Sequence, residues 1–202
     1  MPKRITQPNS HPRPALLLTF FLLVNVGCAA IWSPIQKTDT LFEMATIEAA
    51  AHLPVGWGSS SYSTLAGVWL FTRHGVELEE IYLRRFPKSQ IVKGTNRRIR
   101  QDMTLQEIAE LSIDSRRLDD GVGGFEVISN KPSRVGGRDC FRLDYRYRNA
   151  IGLPKRTLEY GCPLGDWMYR FEFNAPEQHY FEAHLSEFES MIKTLVFRAS
   201  GA

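Results

Sequence analysis

From residue 138 to 148 apolar and charged side chains alternate. Phe141, Leu143, Tyr145 and Tyr147 fall on one parity, and Arg142, Asp144, Arg146 and Arg148 on the other. A period of two predicts a strand with one buried and one wet face. Phe125–Val135 precedes it across a Gly136-Gly137 turn. Lys155–Cys162 follows Pro154, and Trp167–Phe173 comes after Pro163-Leu164-Gly165-Asp166, with Trp167, Tyr169, Phe171 and Phe173 on one parity. Four such segments predict an antiparallel meander. Beyond it the period changes. Phe181, Leu185, Phe188, Ile192 and Leu195 recur in steps of four and three, the stripe of an amphipathic helix, with Asn174 as N-cap and Glu177 at the capping-box position. This helix should lie across the aromatic face of the meander.

Upstream, Thr104 and Glu107 have capping-box spacing ahead of Leu105, Ile108 and Leu111, which predicts a helix to about Leu118. Leu65–Arg73 and Val76–Phe86 read as a hairpin about His74-Gly75, Ala45–Leu53 as a strand, and residues 56–63 as a turn. The fold class expected is α+β: an antiparallel β-meander sheet packed by the C-terminal helix and one further helix. A single domain should span 45–198.

Residues 1–27 read as an export signal. They hold Lys3, Arg4 and Arg13 with no acid, then the apolar run Ala15–Val26 and Gly27-Cys28. The Gly-Cys ending resembles the lipobox of bacterial lipoproteins, which implies a lipid on Cys28 as mature N-terminus. Residues 28–44 then serve as anchor and tether. An uncleaved anchor from Ala15 to Trp32, or simple cleavage after Ala30, are the alternatives. All three export the body.

The stretch from Ala66 to Phe197 resembles a group of bacterial lipoproteins. The residues that carry this are Trp69-Leu70-Phe71-Thr72 entering the turn at His74-Gly75, followed by a helix, a meander and a closing helix. The order of elements is similar to the PsbP-like α-β-α sandwich, and Pro54-Val55-Gly56-Trp57 looks like the segment ending its first strand. The resemblance implies a partner-binding sandwich and transfers no functional residue.

Cys140 and Cys162 fall on adjacent strands of an exported body, where a pair invites a bridge. With Arg148 opposite Lys155, Tyr145 meets Leu158, Leu143 meets Tyr160 and Phe141 meets Cys162. That register buries the apolar side chains together but leaves Cys140 on the wet face, so a disulfide requires a bulge. Bridge and free thiols both stay open.

The whole chain carries +3, and without residues 1–27 it holds 22 basic against 22 acidic residues. A globally basic nucleic-acid binder is thereby disfavoured. Against that neutral background, Arg84, Arg85, Lys88, Lys93, Arg97, Arg98 and Arg100 stand in 17 residues without an acid. Such a segment can grip an anionic lipid or an acidic protein face. No phosphate loop, nucleophile elbow or zinc-protease motif appears. His179 and His184 do not share a helix face, His52 and His74 have no carboxylate at a recognisable spacing, and Glu77, Glu79 and Glu80 read as a hairpin rim. No metal, cofactor or catalytic residue is expected. The function expected is a non-catalytic envelope protein facing the periplasm, on the outer rather than the inner membrane, that presents a binding surface to a protein or anionic envelope component. An exported hydrolase or transferase is the alternative, and a cleft joining His52, His74 and the Glu77–Glu80 rim would mark it.

Overall fold

The computed structural model describes residues 32–36, 39–60, 67–119 and 121–198, so the predicted signal and Cys28 lie outside the described residues. In chain order the elements are β1 (Trp32–Pro34), β2 (Phe42–Met44), a 3-10 turn (Ala45–Ile47), β3 (Ala49–Ala51), β4 (Gly58–Ser60), β5 (Val68–Thr72), β6 (Glu80–Pro87), β7 (Ile91–Val92) and β8 (Arg97–Arg98). Then come α1 (Leu105–Arg117), β9 (Gly123–Val135), β10 (Arg138–Arg148), β11 (Pro154–Leu164), β12 (Trp167–Pro176), α2 (Tyr180–Thr194) and β13 (Val196–Phe197). Eight strands form one sheet in the order β1-β4-β5-β6-β12-β11-β10-β9, every neighbouring pair antiparallel. A small sheet β13-β3-β2 and a β7-β8 ribbon complete the strands.

Both faces of the large sheet are covered. On one, Phe71, Leu83, Leu158, Tyr160, Phe171 and Phe173 pack with Phe181, Phe188, Met191 and Ile192 of α2 and with Met44, Ile47 and Ala49 from the region of the small sheet. On the other, Phe141, Leu143, Tyr145 and Met168 pack with Ile108, Leu111 and Ile113 of α1 and with Val92 and Ile99 of the β7-β8 region. The molecule is thus an α+β sandwich with two cores. The closing helix stacks Phe181 and Phe188 on Phe173, as the pattern predicts, while Tyr169 and Phe171 meet Phe197 of β13 and Trp167, on the same parity, remains 36% exposed at the strand end.

The second core corrects the strand register. Arg148 pairs with Pro154, not Lys155, so Phe141 faces Gly161 and the next step sets Cys140 against Cys162. A disulfide joins them, with Cα atoms 4.3 Å apart, and it needs no bulge between β10 and β11. The physical reason is that Phe141, Leu143 and Tyr145 turn to α1, while Leu158, Tyr160 and Cys162 share the other face with β12's aromatics. The supposed wet face of β10 is therefore an inner face too. Cys140 is fully buried, and Asp144 is 5% exposed and held by Arg156 at 2.9 Å. Gly161 makes the pairing possible, since a Cβ there would fall inside the Phe141 ring.

Thr104 caps α1 as predicted, its hydroxyl accepting from the Glu107 N–H while the Glu107 carboxylate accepts from the Thr104 N–H at 2.7 Å. Asn174 does not cap α2. It sits within β12, donating to the Tyr147 hydroxyl (2.6 Å) and Thr157 Oγ1 (2.9 Å), because Ala175 and Pro176 continue the pairing with β11. His179 precedes α2 instead, with φ of 74°. Residues 32–34 and 42–44, read as tether, form β1 and β2, and Ala45–Leu53 contributes a 3-10 turn and only the short β3. Within the stretch read as a turn, Trp57 is buried and Gly58–Ser60 is β4. Among the described residues no helix is long and apolar enough to cross a membrane.

Candidate functional site

Strand parity divides the basic segment. Arg84 and Arg85 are neighbours on β6 and point to opposite faces. Arg85 pairs with Glu48 at 2.6 Å and lies 4.3 Å over the Trp167 ring. Arg84 lies over Phe86 beneath α1, where burial first, and then Arg170, lowers its pKa. Lys88, Lys93, Arg97, Arg98 and Arg100 stay together on and around the β7-β8 ribbon. Asp119 accepts from Lys93 (2.8 Å), Asp114 lies 3.5 Å from Arg97, and Asp102 accepts from Arg100 (2.9 Å), while Lys88 and Arg98 form no ion pair among the described residues. Beside the ribbon opens a cleft of about 480 Å³, lined by Lys88, Arg100, Asp166, Ile99 and Trp167 among others. Ile91, 49% exposed, adds an apolar tip. Lys88, Arg100 and Trp167 thus share a cleft at the Pro87–Trp167 end of the sheet, while Lys93 reaches Asp119 just beyond the C-terminus of α1.

Beneath α1 runs a buried network of charge. Arg170 reaches Glu159 at 3.0 Å and donates to the Ser112 hydroxyl at 2.7 Å, Ser112 donates to Glu159 at 2.8 Å, and Arg116 donates to Glu172 at 2.5 Å. Burial alone would raise the Glu172 pKa, but Arg116, Arg170 and Arg84 outweigh it and hold the carboxyl below its ordinary range. Arg116 also borders a cleft of about 420 Å³ with Tyr145, Tyr147, Phe125 and Glu77. The strand-alternation reading missed this network because the charges occupy inward positions of β11 and β12 opposite Phe141 and Leu143's helix.

The Glu77–Glu80 rim does not exist as one surface. Glu77 borders the α1-side cleft, and burial raises the Glu80 carboxyl's pKa, with Lys155 opposing. Glu79 instead turns toward α2 and is fully buried. His74 Nδ1 lies 2.6 Å from Glu79 Oε1, and His184 Nε2 lies 3.1 Å from Glu79 Oε2. Around them, the Trp57 indole N–H donates to Glu187 at 2.5 Å, and Arg73 donates to the other oxygen of Glu187 at 3.1 Å and to the Val55 carbonyl. His74 and Glu79 stand five residues apart across the turn, a spacing that matches no recognised motif, so the glutamate reads in sequence only as part of the hairpin rim. His184, on a distant helix, gives no signal either. His52 stands apart, its backbone N–H donating to Thr194 Oγ1. The cleft that would mark a hydrolase, joining His52 with His74 and all three glutamates, therefore does not form.

The fold recurs in solved structures of low sequence identity. The cyanobacterial PsbP of Synechocystis, CyanoP, superposes with a TM-score of 0.53 at 14% identity, over 86% of this chain and 95% of its own. The Saccharomyces cerevisiae Ran-binding protein Mog1p gives 0.53 at 11% identity, over 81% and 97%. A Bacteroides thetaiotaomicron protein gives 0.50 at 17% identity over 83% of this chain, which spans only 51% of that molecule. No protein-family model and no curated protein matches the sequence. The likeness is one of fold: the body is an α+β sandwich resembling PsbP and Mog1.

Proposed function

We propose that this is an exported envelope protein, held by a lipid on Cys28 at the periplasmic side of the outer membrane, whose body binds an acidic partner protein without catalysis. The observation that carries this reading is the ribbon end, where Lys88 and Arg98 have no ion-pair partner among the described residues and Lys88 lines a cleft with Trp167. Exposed Trp and Arg with apolar neighbours are the composition of protein-interface hot spots. A pure headgroup binder needs uninterrupted cations, whereas here Asp102, Asp114 and Asp119 are interleaved. Mog1p, a Ran-binding protein, supports the use of this fold as a protein-binding body. Ala29 after Cys28, in place of Asp, supports sorting to the outer membrane.

The test compares full-length protein with a Lys88→Glu/Arg98→Glu variant and with Trp167→Ala, each used to capture partners from detergent-solubilised envelope. A partner retained by wild type should be lost from both variants and in 1 M salt, where the Debye length falls to about 3 Å. The melting temperature of the charge-reversed variant should barely change, because exposed charges contribute at most about 1 kcal/mol to folding. Equal capture by all three proteins would refute the assignment. Binding to anionic vesicles that charge reversal abolishes and Trp167→Ala spares would transfer the site to lipid.

A further inference from the structure

We infer that His74, Glu79 and His184 form a binding site for a divalent transition metal, zinc by its donor chemistry. The ligand atoms, one imidazole nitrogen from each histidine and a Glu79 oxygen, all lie within 4.8 Å of one another. Two imidazoles and one carboxylate form a three-residue zinc set that leaves the fourth position open, and they offer too few oxygens for calcium or magnesium. The inference is independent of the partner-binding reading and concerns the opposite face of the sheet from the α1 network.

The loop that presents two of the ligands is built in advance. Leu78 and Glu79 N–H groups both donate to the Gly75 carbonyl at 3.0 Å. The Thr72 hydroxyl donates to the Glu79 carbonyl at 2.7 Å and accepts from the Gly75 N–H. The His74 N–H donates to Glu79 Oε1 at 3.1 Å, which orients the carboxylate from within the same turn. The third ligand, His184, projects from α2 with its ring edge against Trp57, 5.9 Å between centroids. Hairpin and helix thus bring the donors together without a loop rearrangement.

A second observation points to a cation. Glu79 is fully buried, and among the described residues no lysine or arginine reaches it. Its Oε2 accepts no well-directed hydrogen bond, although His184 Nε2 stands 3.1 Å away. A buried carboxylate oxygen left in that state is costly unless paired or bound to metal. The surroundings suit ligation as well. Glu187 Oε2, fixed by Trp57, lies 3.7 Å from His184 Nδ1. That is beyond hydrogen-bond distance, so Glu187 acts on the imidazole only as a nearby negative charge, which favours a cation at the ring. Arg73, 3.4 Å from Nδ1, is held by Glu187 and the Val55 carbonyl and so need not compete. His74 is 47% exposed in its side chain, which opens the fourth position to water or to a ligand group from outside.

Full-length protein in detergent, titrated with zinc against a chromophoric chelator, should bind one equivalent. Cobalt in its place should show the visible absorption of a four-coordinate N/O site. His74→Ala and His184→Ala should each weaken zinc at least about tenfold, since disturbing even a supporting partner of a metal ligand costs 10–100-fold. His52→Ala should bind as wild type does. His74 is partly exposed, so its variant should keep the apo melting temperature and lose only the rise that zinc produces. Absence of stoichiometric binding at micromolar zinc would overturn the site. Undiminished binding by the two histidine variants, or loss in His52→Ala, would overturn it equally.

Discussion

Cys140 and Cys162 face each other across β10 and β11, one step beyond the Phe141–Gly161 pair, and their disulfide locks the register that turns alternate residues toward different cores. A one-residue slip would exchange the two cores' side chains. The bridge closes a loop of 22 residues in sequence. Replacing both cysteines by serine should therefore lower the unfolding free energy by about 3 kcal/mol. Denaturant titrations of the double variant and of reduced wild type should show the same loss.

Phe188 is fully buried, with Phe173 stacked at 5.8 Å and Tyr160 at 6.1 Å. Phe188→Ala should cost about 3–5 kcal/mol in a denaturant titration, a large share of an ordinary domain's stability. A loss under about 1 kcal/mol would contradict the packing of α2 on the sheet.

Glu172 sets an acid limit. Its folded pKa is depressed, so its contribution is fully present above the unfolded value of about 4.3 and is lost as pH falls through the folded one. Stability should decline as pH drops below about 5, with a shallower slope in Glu172→Gln. At neutral pH that variant should itself lose about 3–5 kcal/mol, because among the described residues Arg116 and Arg170 keep only Glu159 as a carboxylate partner. Chemical denaturation at a series of pH values measures both.

Lipidation of Cys28 is tested by Cys28→Ser. The variant should appear in the soluble fraction or as an unprocessed precursor, and labelled fatty acid should enter wild type only. Label in both proteins would refute it.

Much of this fold was legible because the signals are local. The Thr104–Glu107 box, the four meander strands and the Phe181–Phe188–Ile192 stripe each specify themselves within a few residues. The register was not, because alternation tells which residues share a face and not what covers that face. With Asp144 and Arg142 taken as solvated, one core seemed enough. Glu189, the partner of Arg142, is 47 residues away on α2, and Arg156, the partner of Asp144, is 12 away across the hairpin. The same limit governed the sites. Consecutive numbering grouped Arg84 with Arg85, which strand geometry separates, and gave no warning that His184 would meet a turn 110 residues earlier.

Coverage of both faces also orders the molecule in time. Six successive residues of β11, Thr157–Cys162, and six of β12, Met168–Phe173, are buried, and each of these strands is flanked on both sides by another. Their amides have no route to solvent through fraying and should exchange with deuterium only when the whole body opens. β9 has a strand on one side only, is mostly exposed or half-buried, and carries two register shifts against β10. Its outward amides should exchange orders of magnitude sooner, so the middle of the meander keeps a far slower clock than the β9 rim.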